Sequence, residues 1–243
     1  GESPPVPVSK RCAAKLQNPH ALVVCQCFAM LAFADSAAMA VQYSNKQWLC
    51  DAMKPVPSMN TQQRRELFAN FTTTYWGDAF PRDCFYDTAC LNSTDPTVQQ
   101  RWQPTARSWR AQKCSEVAWW QIAPAQGSLR SQMVDLDYHI QQCKYIFSDP
   151  NLPLPSVDAV NAAYGGLQPQ SKGATKIYSS NFGDDPWRTV CLRDMPNADL
   201  PAFVAQCDGC GHVDDFRAPK SSDPDALLKQ RVLETSYFTQ WLK

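Results

Sequence analysis

Two carboxylates and a histidine are the residues of this sequence whose types and spacing could do chemistry. Asp184 and Asp185 stand side by side in YSSNFGDDPWRTVC, between an apolar run and the pair Pro186-Trp187. A carboxylate in such a place caps a turn, binds a cation or orients a histidine, and Asp ahead of Pro is by itself a common turn signal. His212 lies in CDGCGHVDDFR, directly after a second strand-like run, AFVAQC. If TKIYSSN delivers Asp185 and AFVAQC delivers His212, both side chains fall on loops at the carboxyl ends of neighbouring strands, where open α/β sheets place their sites. A carboxylate on imidazole Nδ1 fixes the tautomer and stabilises the imidazolium that forms when Nε2 takes a proton from a nucleophile. In the chain order serine, acid, histidine, Asp185 and His212 fill the last two places. The first is empty, because no GxSxG elbow precedes Asp185 and only nine glycines are present. Either the nucleophile sits on another polypeptide, or these residues are not a triad.

The remaining candidates have blander readings. Cys207 and Cys210 with His212 have the look of a zinc set, but a spaced fourth ligand is missing and disulfides are the better reading. His20 and His139 have no partner pattern and read as structural or solvated. Trp187, Trp119 and Trp120 are flat aromatics suited to a proline ring, which offers little polar handle. With eight tryptophans in the chain, core packing accounts for most of them. Glu116 reads as structural. Asn70-Phe71-Thr72 and Asn92-Ser93-Thr94 are glycosylation sequons.

The elements that must position these residues fall into two styles. After a proline-rich start, GESPPVPVS (residues 1–9), the chain from residue 10 to 100 has apolar residues at helical spacing, with prolines gathered in breaks such as KPVPS. ALVVCQCFAMLAFADSAAMAVQY is interrupted by Gln26 and Asp35 and reads as a buried helix, not a membrane span. Asn60-Thr61 can cap a helix through QQRRELFANF, with Leu67, Phe68 and Phe71 on one face. From about Trp102 onward short strand-like runs mix with helices. TKIYSS and AFVAQC read as strands, while SLRSQMVDLDYHIQQCKYIF and DPDALLKQRVLETSYFTQWL read as helices. Such alternation predicts a parallel α/β sheet.

Bulk properties set the outer limits. A chain of 243 residues can bury a sizeable core. Twenty-three basic and 23 acidic residues balance to zero, which gives no long-range attraction for nucleic acid or an anionic membrane. Eleven widely spaced cysteines suit disulfides in an oxidising compartment, so the chain reads as lysosomal, endosome-like or secreted. Cys25 and Cys27 are too close to bridge each other and are expected to pair elsewhere. The odd count leaves one thiol free or bridged to another chain.

Five segments in order carry a resemblance to a known family. AVQYS at 40–44, RSWRAQKCSE at 107–116, YGG at 164–166, SSNFGDDPW at 179–187 and GHVDDFR at 211–217 resemble motifs of the prolyl carboxypeptidase family of serine peptidases, which includes lysosomal carboxypeptidases, dipeptidyl peptidases and thymus-specific relatives. The resemblance implies the C-terminal part of an α/β-hydrolase fold with an inserted helical lid. Residues 10–100 would be the lid, and 101–243 would carry the triad acid on Asp185, not Asp184, and the base on His212. It places a specificity residue at Trp187 and implies cleavage next to proline near a peptide end. Phe182 stands where the family has glycine, and Cys210-Gly211 where it has Gly-Ala or Gly-Ser. The missing serine is then expected on an N-terminal chain of the same precursor, separated by proteolytic maturation and held by the exposed sheet edge or a disulfide. A homodimer of the two-chain unit is compatible with this. No cofactor or metal is implied. The competing expectation is a catalytically inactive, family-derived binding protein.

Overall fold

A computed structural model describes residues 19–77, 84, 86–100, 104–128 and 130–243, with side chains described from residue 30 and, in the helix that opens at Pro104, from 106. The segment 1–9, and the side chains of His20, Cys25 and Cys27, lie outside the described residues. Among the described residues the chain is mostly helical with one small sheet. It divides into two compact units, residues 1–36 with 65–157, and residues 37–64 with 158–243.

Local signals start and stop the helices. α1 is Pro19–Gln42 and α2 Lys46–Met53. The buried helix expected from the apolar run is α1, with Leu31, Ala32, Ser36 and Ala40 buried along it. No helix among the described residues is long and apolar enough to cross a membrane. α3, Thr61–Trp76, opens on a capping box: Asn60 Oδ1 accepts from Gln63 N at 3.0 Å while Gln63 Oε1 accepts from Asn60 N at 2.9 Å. Phe71 is buried on the face expected for it. α4 (Thr88–Asn92) and α5 (Pro96–Gln99) are capped by Asp87 and Asp95. α6, Pro104–Gln112, runs on into a π-turn, Lys113–Val117. Asp135 caps α7, Leu136–Ile146, accepting from Tyr138 N at 2.8 Å. That cap explains why α7 begins well inside the run from Ser128 that reads as helix.

The first unit packs around two apolar clusters. Cys84, Cys90, Leu91, Ala106 and Ile146 form one, and Leu31, Ala32, Tyr86 and Val134 the other. Disulfides Cys84–Cys90 and Cys114–Cys143 fasten this unit, and Cys207–Cys210 the second.

The second unit holds the sheet. α8 is Val157–Tyr164; β1, Ser179–Phe182, pairs parallel with β2, Ala202–Ala205, in the register Ser179 to Ala202 and Phe182 to Ala205. Both runs expected as strands contribute, in parallel orientation. β1 is displaced towards the C-terminus because Lys176 has φ of 56°, a left-handed turn that breaks the extended run. α9, Asp225–Trp241, packs on β2, and Leu227 joins Phe182, Ala205 and Cys210 in the core. Phe182 is 2% exposed and fills this core.

Candidate active site

Parallel pairing brings the carboxyl ends of β1 and β2 to one edge, so the loops that follow them meet. After β1 the chain turns through Gly183 and Asp184 to Asp185, which caps a 3-10 turn, Pro186–Val190. Asp185 Oδ1 accepts from Trp187 N at 2.9 Å. Its other oxygen, Oδ2, lies 2.7 Å from His212 Nδ1. Asp185 therefore does two of the three things its position allows: it caps a turn and meets a histidine. Its side chain is 9% exposed and that of His212 is 31% exposed, so the carboxylate is buried while the ring reaches solvent. No hydrogen-bond partner is seen for Nε2 among the described residues.

After β2 the Cys207–Cys210 disulfide closes a tight loop, so these two sulfurs are bonded to each other beside the histidine. Gly211 then passes so close to α1 that a Cβ would lie 2.1 Å from the Gln42 carbonyl oxygen. Only glycine fits there. That same carbonyl accepts from His212 N at 2.6 Å. Gly211 N donates to Asp214 Oδ2 at 2.7 Å, which also accepts from Ser44 Oγ at 2.8 Å. The histidine backbone is thus held from both sides.

Several supports come from residues far away in sequence. Gln42, 6% exposed, also accepts the Trp187 indole N–H on Oε1 at 3.2 Å. Trp187 and Tyr43 flank the imidazole, with ring centroids at 6.4 and 6.1 Å. Lys46 Nζ bridges the two loops, 3.1 Å from Asp184 Oδ1 and 2.6 Å from Asp208 Oδ1; the hydrogen bond with Asp208, then that with Asp184, raises the ammonium above its ordinary value. Asp184 Oδ2 accepts from Gly209 N at 3.0 Å. The two adjacent aspartates divide the work: Asp184 ties the loops together and Asp185 faces the imidazole.

α9 backs the histidine loop. Arg231 donates to the carbonyl oxygens of Asp214 at 2.9 Å, Asp215 at 3.2 Å and Arg217 at 3.1 Å, and pairs with the Asp223 carboxylate. Beside it Ser180 donates to Asp215, Gln230 donates to Ser180, and Gln230 Nε2 also reaches Glu234 Oε1 at 3.2 Å. Burial first, then the contact with Asp215, pushes the Glu234 carboxyl up to about 7. Burial also raises the Cys191 thiol, with Asp185 adding to it.

The model of the family described as serine carboxypeptidase S28 matches residues 14–234. The chain belongs to the serine carboxypeptidase S28 family. A probable serine protease, EDA2 of Arabidopsis thaliana, is 30% identical over 229 residues, covering 86% of this chain and 43% of that relative. The S28 chain therefore spans less than half the length of that curated relative.

Trp119 and Trp120 belong to the first unit. Trp119 is 38% exposed with its ring 5.7 Å from Trp109, and Trp120 stacks on His139 at 5.7 Å. His139 is buried, so the structural half of its expected reading holds and the solvated half does not. Glu116 is exposed. Asn70 is exposed on α3, whereas Asn92 Nδ2 donates to Tyr145 O at 2.6 Å, Ile146 O at 3.3 Å and Ser148 Oγ at 2.7 Å. Sequence reasoning missed Gln42, Lys46, Asp208, Asp214 and Arg231; the available signals were that Gln42 lies inside the AVQYS motif and Asp214 inside GHVDDFR.

Proposed function

We propose that this S28 chain is the C-terminal part of a two-chain serine exopeptidase, a carboxypeptidase or dipeptidyl peptidase that cleaves peptides next to proline. On this reading residues 10–100 are the helical lid and 101–243 the C-terminal part of an α/β-hydrolase domain. The nucleophilic serine belongs to an N-terminal chain of the same precursor. Family membership and the probable-protease relative support serine peptidase chemistry.

The observation that carries the reading is the 2.7 Å contact between Asp185 Oδ2 and His212 Nδ1, made by a carboxylate whose other oxygen is already fixed by Trp187 N. Such a carboxylate cannot rotate, so the ring keeps one orientation with Nε2 free to work. In the first half-reaction Nε2 takes the proton of the serine hydroxyl as its oxygen attacks the scissile carbonyl, and Asp185 stabilises the imidazolium. The imidazolium then gives that proton to the leaving amine, producing an acyl-enzyme, and the same base activates the water that hydrolyses it. The oxyanion donors come mostly from the N-terminal chain.

On this reading Trp187 is a wall for the proline ring, a role supported by its being held by Gln42 beside the imidazole. Trp119 and Trp120 have a weaker claim as binding residues. The exposed thiol of Cys50 is available for a bridge to the partner chain. The disulfides suit a lysosome, an endosome-like vesicle or the cell exterior.

Fluorophosphonate labelling of the protein from its native source, read on reducing and non-reducing gels with chains identified by mass, tests this reading. We expect label on a co-purifying polypeptide or segment outside these 243 residues. No label on any chain, with this one folded, would leave the binding-protein alternative instead.

A further inference from the structure

The first unit buries more positive charge than it pairs. Arg110 on α6 is 7% exposed, and Lys113, three residues on and hence on the same helical face, is 2% exposed. Neither forms an ion pair among the described residues. Lys113 Nζ donates to a neutral amide, Gln121 Oε1, and stands 5.8 Å over the Trp120 ring. Arg130 is matched by Asp35 at 2.9 Å, and Asp35 also accepts from the Tyr86 hydroxyl at 3.2 Å, so that carboxylate is already engaged.

His139 belongs to the same place. Its ring stacks on Trp120, and Nε2 lies 3.4 Å from the Gln121 carbonyl, which only accepts, so Nε2 carries the hydrogen. Nδ1 is then a buried lone pair without a partner. The Cys114–Cys143 disulfide fixes this juxtaposition, because Cys114 adjoins Lys113 and Cys143 is one α7 turn from His139. Burial and then Arg110 hold Lys113 down to about 7 against the opposing pull of the single carboxylate Asp35, and burial and then Lys113 hold His139 down to about 3, as expected where positive charge is in excess.

Buried cations that outnumber their counter-charges and buried acceptors without donors are both costly, and native proteins rarely leave them so. We propose that Arg110, Lys113 and His139 form a binding site for a small oxyanion, with the two cations on its charged oxygens and Nδ1 accepting from its hydroxyl or from a water bound with it. Hydrogenphosphate satisfies all three groups directly. A carboxylate satisfies the cations and needs the water.

The site is independent of the peptidase reading and can be tested without an activity assay. The thermal midpoint of the full-length protein is followed as phosphate, acetate or chloride is titrated at constant ionic strength, for the wild type, Arg110→Met, Lys113→Met and the exposed control Lys54→Met. We expect a saturable rise with phosphate in the wild type and control, weakened at least about tenfold in apparent affinity by loss of either buried cation. A rise with acetate alone identifies a carboxylate ligand and keeps the site. Equal responses to chloride and the oxyanions, no response to any anion, or an unchanged response in both variants overturns it. Should Arg110→Met fail to fold, Lys113→Met and the wild-type titration decide the matter.

Discussion

Asp185 spends its two oxygens on different tasks, and this makes its role separable from its structural use. In Asp185→Asn the side-chain carbonyl can still accept from Trp187 N, so the 3-10 turn survives, while the amide presented to Nδ1 favours the wrong tautomer. On the proposed peptidase reading, we expect kcat of the full-length protein to fall by about 10³- to 10⁴-fold with little change in KM or thermal midpoint. A loss confined to KM would assign Asp185 to substrate binding instead. Gly211 makes the complementary case, because its substitution acts on geometry alone. In Gly211→Ala the new methyl must move off the Gln42 carbonyl, and that carbonyl is what holds His212 N. Destabilisation of about 1–3 kcal/mol, read from the urea midpoint, is expected along with reduced activity. The pair Asp185 and His212 was legible in the sequence because each follows a strand-like run inside a recognisable motif. Gln42, Lys46 and Arg231 were not, since their partners are fixed only by the tertiary fold and nothing local distinguishes a clamp from a solvated side chain.

At the scale of elements, the decisive feature is the parallel β1–β2 pair, which sends both loops out at one edge. The four segments read as strand, strand, helix and helix all have those types, because each carries enough apolar pattern to overcome local ambiguity. Their boundaries moved where a single residue intervened, Asp135 at the start of α7 and Lys176 ahead of β1. α9 was legible as a helix, but its function as a brace for the histidine loop was not. That brace has a pH dependence. Glu234 on α9 faces Asp215 of the histidine loop, with Ser180 and Gln230 between them and Tyr178 donating to Gln230 at 3.4 Å. A folded-state value of about 7, above the ordinary 4.5, means that the folded protein holds this proton more tightly than the unfolded chain. Stability from this group is therefore fully present below about pH 4.5 and is lost as pH rises towards and through 7. Thermal midpoints of Glu234→Gln measured across that window should decline less steeply than those of the wild type. Parallel curves would remove Glu234 from the brace.

For the whole molecule, disulfides and sequons point to passage through an oxidising compartment, and the two sequons are not equivalent in the folded chain. Asn70 is exposed on α3, so a glycan there projects into solvent. Asn92 ends α4, and its Nδ2 supplies the last carbonyls of α7 and the Ser148 hydroxyl, joining two helices at the edge of the Cys84–Cys90 core. A glycan bonded to that nitrogen would remove one of its two hydrogens and put a bulky sugar between α4 and α7. A sequence motif records only that the acceptor residues are present, whereas occupancy compatible with folding depends on where the amide points. Peptide mapping after enzymatic deglycosylation in water labelled with heavy oxygen should find Asn70 converted to labelled Asp and Asn92 unconverted. Replacing Asn92 by Asp should also lower the thermal midpoint, because a carboxylate turned towards the same carbonyls offers them no donor, while Asn70→Asp should leave it near the wild-type value. Stoichiometric conversion at Asn92 in the folded protein would mean that the α4–α7 junction tolerates loss of this amide and is held by its apolar contacts and by Arg107, which donates to Leu91 O at 3.0 Å and Ile146 O at 3.2 Å.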